Sequence, residues 1–434
     1  MTWLQRYRYR HFLSNSMWVS STLGLILALA SHRVLYLVGR AMGWNAATEP
    51  DAARAVIGAL SSSLLTFIVF VSSALLVAVQ LASAQLSPRI IALALKEPGI
   101  RTCLGIFVFN FTFSLAVLSR IGTQTPLIEL QVCIWSSLGS IIVFLYMVDR
   151  LARSLRPISI LTLIAGKGAE VIKSVYPLML DEGPRAVSQS LPDPSTALVV
   201  EHIGRSSVLL AFDQEGLLTL ASQENAIIEL MPQVGDFVVH GDGLFRIYGS
   251  TRLSPDVLRR CLALGDERTM EQDPAFAFRI IVDVACRALS RAINDPTTGV
   301  LALDQVHLLL RLTGLRRLDT GCVSDSQGRL RLVFRTPDWE DFVWLGLAEI
   351  RQFGAGNIQI ARRMRALLEH LLKVMPPGRQ PALREQLELL DRSVARSFPD
   401  DEDREQASSK DLQGLGGSAA PALQVEQKTG SAPV

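Results

Sequence analysis

The sequence predicts an α+β membrane protein, with four transmembrane helices followed by a cytoplasmic region that holds a small β module and a mainly helical domain. Three observations lead there. Four apolar stretches of about 20 residues, the length that crosses a bilayer with every backbone group bonded internally, crowd in before Arg150. After Arg150 the texture changes to alternating apolar and charged residues punctuated by Gly and Asp. The average of 49% hydrophobic and 19% charged residues over 434 positions therefore conceals two different solvents for one chain.

The first span reads from Met17 to Val38, with Ser31, His32 and Arg33 near its far end, where long side chains reach the headgroups. The second runs from Ala55 to Ala82, the third from Thr102 to Ser119, and the fourth from Leu127 to Val148 beyond a short Arg120–Pro126 turn. No small-x-small cleavage site follows the basic start, so the first span reads as retained. With the N-terminus inside, the inner flanks carry Arg6, Arg8, Arg10, Arg89, Lys96, Arg101, Arg150, Arg153 and Arg156, whereas the outer loops carry only Arg40, Arg54 and Arg120. That bias places both termini in the cytoplasm, and the chain reads as an inner-membrane protein.

Along the second span, at about 100 degrees per residue, Ser62, Thr66, Ser73, Gln80, Ser83 and Ser87 fall on one narrow stripe that ends near Arg89. A polar face in lipid must meet water or protein. The stripe therefore either lines a path through a homo-oligomer or is a seam where small residues let helices pack closely. Asn110 in the third span reads as an interhelical hydrogen bond. No span carries a carboxylate near its middle, which speaks against a proton-coupled pump.

Beyond the membrane, a helix is expected through Ile158–Val175 and a linker over Asp181–Pro194. Short strands follow at 197–200, 207–212, 227–230, 236–239 and 244–247. The run Val234-Gly-Asp-Phe-Val-Val-His-Gly-Asp-Gly-Leu-Phe-Arg-Ile247 resembles the hairpin of barrel-sandwich hybrids, the fold of lipoyl and biotinyl carriers, but no Lys lies between Lys173 and Lys373 to be modified. The resemblance implies a structural barrel-sandwich-like module. Helices are expected at 255–264, 274–290, 298–313, 339–353, 358–374 and 382–397, with a hairpin over 318–334. The organisation is then a transmembrane domain (1–156), a connecting helix and linker (157–195), a β module (196–250), a mainly helical domain (251–397) and a disordered tail (398–434).

The run from Glu267 to Thr298, which contains Asp273-Pro-Ala-Phe-Ala-Phe-Arg279 and Ser290-Arg-Ala-Ile-Asn-Asp-Pro296, resembles the signature of a bacterial predicted-membrane-protein family, domain of unknown function twenty-two fifty-four. Gln80-Leu-Ala-Ser-Ala-Gln-Leu-Ser-Pro-Arg89 and Gln352-Phe-Gly-Ala355 match further blocks of it. The resemblance spans roughly residues 15 to 395, with Ala277 and Arg291 standing where the family suggests Gly and Pro. It implies a membrane protein and no activity.

Function must come from the residues. Arg268, Gln272, Asp273, Arg279, Asp283, Arg287, Asn294 and Asp295 crowd around two helix starts. They form either a small-anion or nucleotide site at free amide groups or a capping and ion-pair network, with Asp283 and Arg287 one turn apart. A net charge of +2 gives no field for nucleic acid. The five cysteines are scattered and read as buried reduced thiols. The six histidines stand singly, and no catalytic or phosphate-loop motif occurs, so neither catalysis nor a cofactor or metal is expected. The expected partners are the lipid bilayer and further copies of the chain. The expected function is an oligomeric channel or transport-like protein gated by its cytoplasmic region, with a membrane-anchored scaffold or small-ligand sensor as the alternative.

Overall fold

The computed structural model describes residues 2–16, 18–42, 45–46, 50–85, 98–121, 125–154, 156–181 and 191–415. After a short helix α1 (Trp3–Asn15) come α2 (Trp18–Met42), α3 (Pro50–Gln85), α4 (Pro98–Leu118) and α5 (Leu127–Ser154). Each of the last four contains a stretch long and apolar enough to cross a membrane: Trp18–Gly39, Pro50–Gln80, Gly99–Leu118 and Leu127–Arg153. At the end away from the rest of the chain, β1 (Asn45–Ala46) pairs antiparallel with β2 (Thr125–Pro126) and ties the two turns together.

Lipid offers no hydrophobic drive between spans, so small residues that let backbones approach set the contacts. A Cβ on Gly24 of α2 would sit 2.4 Å from the Gly105 carbonyl oxygen of α4, and one on Gly105 would sit 3.0 Å from the Ser20 carbonyl. Ser20 and Gly24, one turn apart, thus form the groove into which α4 presses. Asn110 bonds across to α5, donating to Ser140 Oγ at 2.6 Å and to the Ser136 carbonyl at 3.2 Å.

Outside the membrane, α6 (Pro157–Val175) follows α5 after Arg156. It buries Ile160, Leu161, Ile164, Ala165, Gly168 and Ile172 in one core with α9 (Pro274–Ala288), α10 (Pro296–Gly314), α11 (Trp339–Gly354), α12 (Ile358–Val374) and α13 (Gln380–Ser397). The helix read from sequence as a connector is therefore a wall of the helical domain. The backbone after it is stitched to the end of α10, with Leu180 N–H donating to Leu315 O and Arg317 N–H donating to Leu178 O.

The β module contains two sheets and two helices, α7 (Gln214–Gln223) and α8 (Pro255–Arg259). One sheet runs β3 (Leu198–Glu201), β7 (Gly243–Tyr248), β5 (Ile227–Leu230), β10 (Leu330–Phe334), β9 (Cys322–Ser324), with β10 parallel to β5. The other runs β6 (Phe237–Val238), β4 (Ser207–Phe212), β8 (Leu262–Gly265). Two differences from the sequence reading follow. The Val234–Ile247 motif is no hairpin, because β6 and β7 belong to different sheets after turning at Gly235 and Gly241, both with positive φ. The 318–334 hairpin, assigned by position to the helical domain, completes the module's sheet, and Leu332 is fully buried there. The tail also differs: α14 (Asp401–Ser408), capped by Asp400, buries Ala407 in the helical core. Residues 416–434 lie outside the described residues.

Helix α1 closes the other face of the module. Trp3, Leu4 and Tyr7 pack on Leu210, Ala211 and Ala263, so the N-terminus and the globular region lie on the same side of the spans.

Gly24→Ile should force α2 and α4 apart at a backbone contact, at a cost of about 1–3 kcal/mol. Thermal unfolding of the detergent-solubilised protein should show a clear drop in midpoint, whereas Gly58→Ala, where an added Cβ meets nothing within 4 Å, should leave it unchanged.

Candidate functional site

Helix α9 begins at Pro274, and the acid before it provides the cap. Asp273, 3% exposed, accepts from Phe276 N–H at 3.1 Å and is ion-paired with Arg268. Burial pushes its carboxyl above the ordinary range, while the Arg268 guanidinium and the backbone amides pull it down. The neighbouring Gln272 uses its side-chain amide as a strand would, accepting from Phe212 N–H at 3.0 Å and donating to Phe212 O at 3.2 Å. Signature residues thus hold the end of β4 against the start of α9.

Between these pieces lies a cleft of about 340 Å³, with three contributors. The end of α6 supplies Tyr176, the β module supplies Phe212, Gln214, Gln233 and Phe334, and the α9 start supplies Gln272 and Asp273. Phe212 and Phe334 meet edge to face at 4.9 Å and form an aromatic wall. Tyr176 is buried, and its hydroxyl reaches Pro337 O at 3.5 Å; burial, with Asp273 and Asp341 nearby, pushes the phenol above its ordinary value. Arg335 lines the cleft and is itself exposed. Volume, aromatic walls and convergent amides place the cleft at the small end of ordinary ligand sites, between two domains where such sites concentrate.

The predicted-membrane-protein family model (DUF2254) matches residues 14–370, and therefore includes the spans, the β module, both helix starts and the cleft. This chain belongs to that family. Two curated relatives, uncharacterized proteins Rv1290c of Mycobacterium tuberculosis and Mb1321c of Mycobacterium bovis, are each 26% identical over 439 residues, covering 97% of this chain and 82% of theirs. No solved structure matches.

The remaining network residues of this DUF2254 member do not all converge on the cleft. Arg279 bridges Asp283 on its own helix and Glu349 on α11, so Asp283 pairs one turn backward to Arg279. Asp295 caps α10, accepting from Thr298 N–H at 3.1 Å and from its hydroxyl at 2.5 Å, after a left-handed Asn294 (φ 50°) that turns the chain. Arg287 lies in the last turn of α9, half-buried. The Phe276 and Thr298 amides at the two helix starts are therefore occupied by the chain's own carboxylates.

On α3, Ser62, Thr66, Ser73 and Gln80 all face outward from the four-helix bundle. Ser62 and Thr66 donate to the carbonyls of Gly58 and Ser62 on their own helix, which satisfies their hydroxyls without a partner chain. Ser83 is in α3, and nothing of its side chain is described; Ser87 and Arg89 lie outside the described residues.

Two histidines that stand apart in the sequence meet in space. His307 of α10 and His370 of α12 are hydrogen-bonded, Nε2 to Nδ1, at 2.7 Å, beside a groove of about 360 Å³ lined by Leu308, Leu312 and Leu315. Only the packing of α10 on α12 reveals the pair. Among the described residues no group of three His, Cys, Asp or Glu side chains is placed to hold a metal. Cys103, Cys133 and Cys261 are buried and Cys286 half-buried, while Cys322 is exposed, contrary to the expectation of buried thiols throughout.

Burial, then His370, Arg363 and Arg311, push the His307 imidazole down to about 4. Unfolded His titrates near 6.5, so as pH falls the unfolded chain binds this proton first. Stability should be undiminished above pH ~6.5 and fall as pH drops toward ~4, by roughly 2 kcal/mol after allowance for partial exposure. His307→Phe should flatten that part of the pH–melting curve.

Proposed function

We propose that this DUF2254 member is a membrane-anchored receptor of the bacterial inner membrane, with cytoplasmic termini, that binds a small ring-containing polar molecule in the cleft. One observation carries the reading: the cleft is bounded by the end of α6, the helix that follows the last span and forms a wall of the helical core. A ligand that draws the β module onto α9 would load α6 directly, and through it α5. The aromatic pair offers stacking, Gln214, Gln233 and Gln272 offer donors and acceptors, and Arg335 accommodates a single negative charge. This chemistry suits a nucleoside or nucleoside monophosphate.

Full-length protein should be titrated with a panel of nucleosides and nucleotides and followed by thermal shift. A ligand at about 100 times its Kd should stabilise the fold by about 2.7 kcal/mol. Phe334→Leu and Gln233→Ala should each abolish or sharply reduce the shift, and Gln233→Ala should leave the ligand-free midpoint within a few degrees. A panel that moves nothing, or a shift that survives both substitutions, would sink the receptor reading.

A second reading rests on the outward-facing second-span stripe. Several copies turning Ser62, Thr66, Ser73 and Gln80 toward a common axis would line a water-filled path, and the cytoplasmic region would gate it. Reconstituted protein should then pass ions across liposomes above empty controls, and Gln80→Leu should reduce that flux several-fold. Absence of flux retires this reading and leaves the cleft untouched.

A further inference from the structure

Inside the span bundle, near the end away from the globular region, His32 of α2 and Glu129 of α5 face each other. Both are almost fully buried, at 6% and 1% exposed, with His32 Nδ1 3.7 Å from Glu129 Oε1. Neither carboxylate oxygen of Glu129, nor Nδ1 of His32, has a hydrogen-bond partner among the described residues. The imidazole stands edge-on to Phe113, with ring centroids 6.3 Å apart.

The surrounding charges are committed elsewhere. Just after α4, Arg120 lies over the Tyr36 ring of α2 at 4.4 Å. From α3, Arg54 donates to the Ile121 carbonyl at 2.7 and 3.2 Å and pairs with Asp51. Arg120 adds a positive field at both groups without bonding to either. On α5 the next turn presents Cys133, whose thiol touches Ser114 Oγ of α4 at 3.0 Å.

A carboxylate with no donor is costly in a hydrocarbon-enclosed bundle, and an ionisable group at such depth requires a partner. With the imidazole neutral and the carboxylate ionised, the pair carries one negative charge. One added proton, held as N–H on His32 or as O–H on Glu129, brings it to zero and allows a hydrogen bond across the gap. The geometry points to a proton-binding site made by His32 and Glu129 together, filled from the membrane face opposite the globular region.

The same face of α5 continues inward with one polar side chain per turn: Cys133, Ser137, and Ser140 bonded to Asn110. Below Asn110 the file stops at Val71, Phe107 and Met147, backed by Phe67 stacked on Phe144 at 4.6 Å. The site therefore takes up a proton from one side and does not pass it through. Proton occupancy sets the contact between the first and fourth spans, and the fourth leads into α6.

The test is infrared difference spectroscopy of the full-length protein in lipid nanodiscs between acid and alkaline buffer. A protonated-carboxyl band should appear, vanish in Glu129→Gln, and change its midpoint by at least one pH unit in His32→Gln. Glu129→Asp, which keeps a titrating carboxyl, should retain a shifted band and serves if the Gln variant does not assemble. No band sensitive to position 129, or one whose midpoint ignores His32→Gln, would overturn the paired site. In proteoliposomes carrying an internal pH dye, Glu129→Gln should leave proton entry unchanged, and a leak abolished by Glu129→Gln would overturn the one-sided site.

Discussion

Apart from one stripe of Arg279, Asp283 and Arg287, helix α9 is apolar all round, and much of the architecture answers to that. Eleven of its 15 residues are buried, so no single flanking helix can cover it; α6, α10 and α11 all do. Helices α6 and α9 approach closely where a Cβ on Gly168 would lie 2.7 Å from that of Ala277. Because α6 follows the last span, burial of α9 fixes the membrane and globular regions to each other. Of the polar residues of the signature, Arg268, Gln272 and Asp273 sit where α9 starts, and Arg279 and Asp283 where it borders α11. They satisfy groups that burial would otherwise leave unpaired.

The same accounting explains the β module. Its strands are short, and its sheets are completed and covered by segments from elsewhere in the chain. The module gains one sheet edge from β10 and β9, a cover for its second sheet from Trp3, Leu4 and Tyr7 of α1, and a side-chain strand mimic from Gln272. The first two of these come from distant parts of the chain. The cleft lies where Phe212 and Phe334 of the module face the end of α6 and the start of α9.

In the membrane, polar groups divide by what they can bond. Hydroxyls on the outer face of α3 fold back onto their own helix and need nothing from lipid. Amide, imidazole and carboxylate groups have demands a single helix cannot meet: Asn110, His32 and Glu129 lie inside the bundle, and the outward Gln80 stands at the end of its span. The second-span stripe, the most regular polar pattern in the sequence, is thus on the outside, while the irregularly spaced ionisable pair is at the centre.

The sequence by itself determined the four spans, most strands and helices beyond them, and both Asp caps, because these rest on local rules: length in a bilayer, periodicity, and an acid before a proline at a helix start. It also carried the family, through the Glu267–Thr298 run. Pairing across distance was decided only by tertiary structure. Nothing near Leu332 announces a parallel partner at Ile228, and nothing near His307, His32 or Gln272 names His370, Glu129 or Phe212. Spacing along a helix reports which face a residue occupies; which helix that face meets is set by how every other apolar face is buried at once.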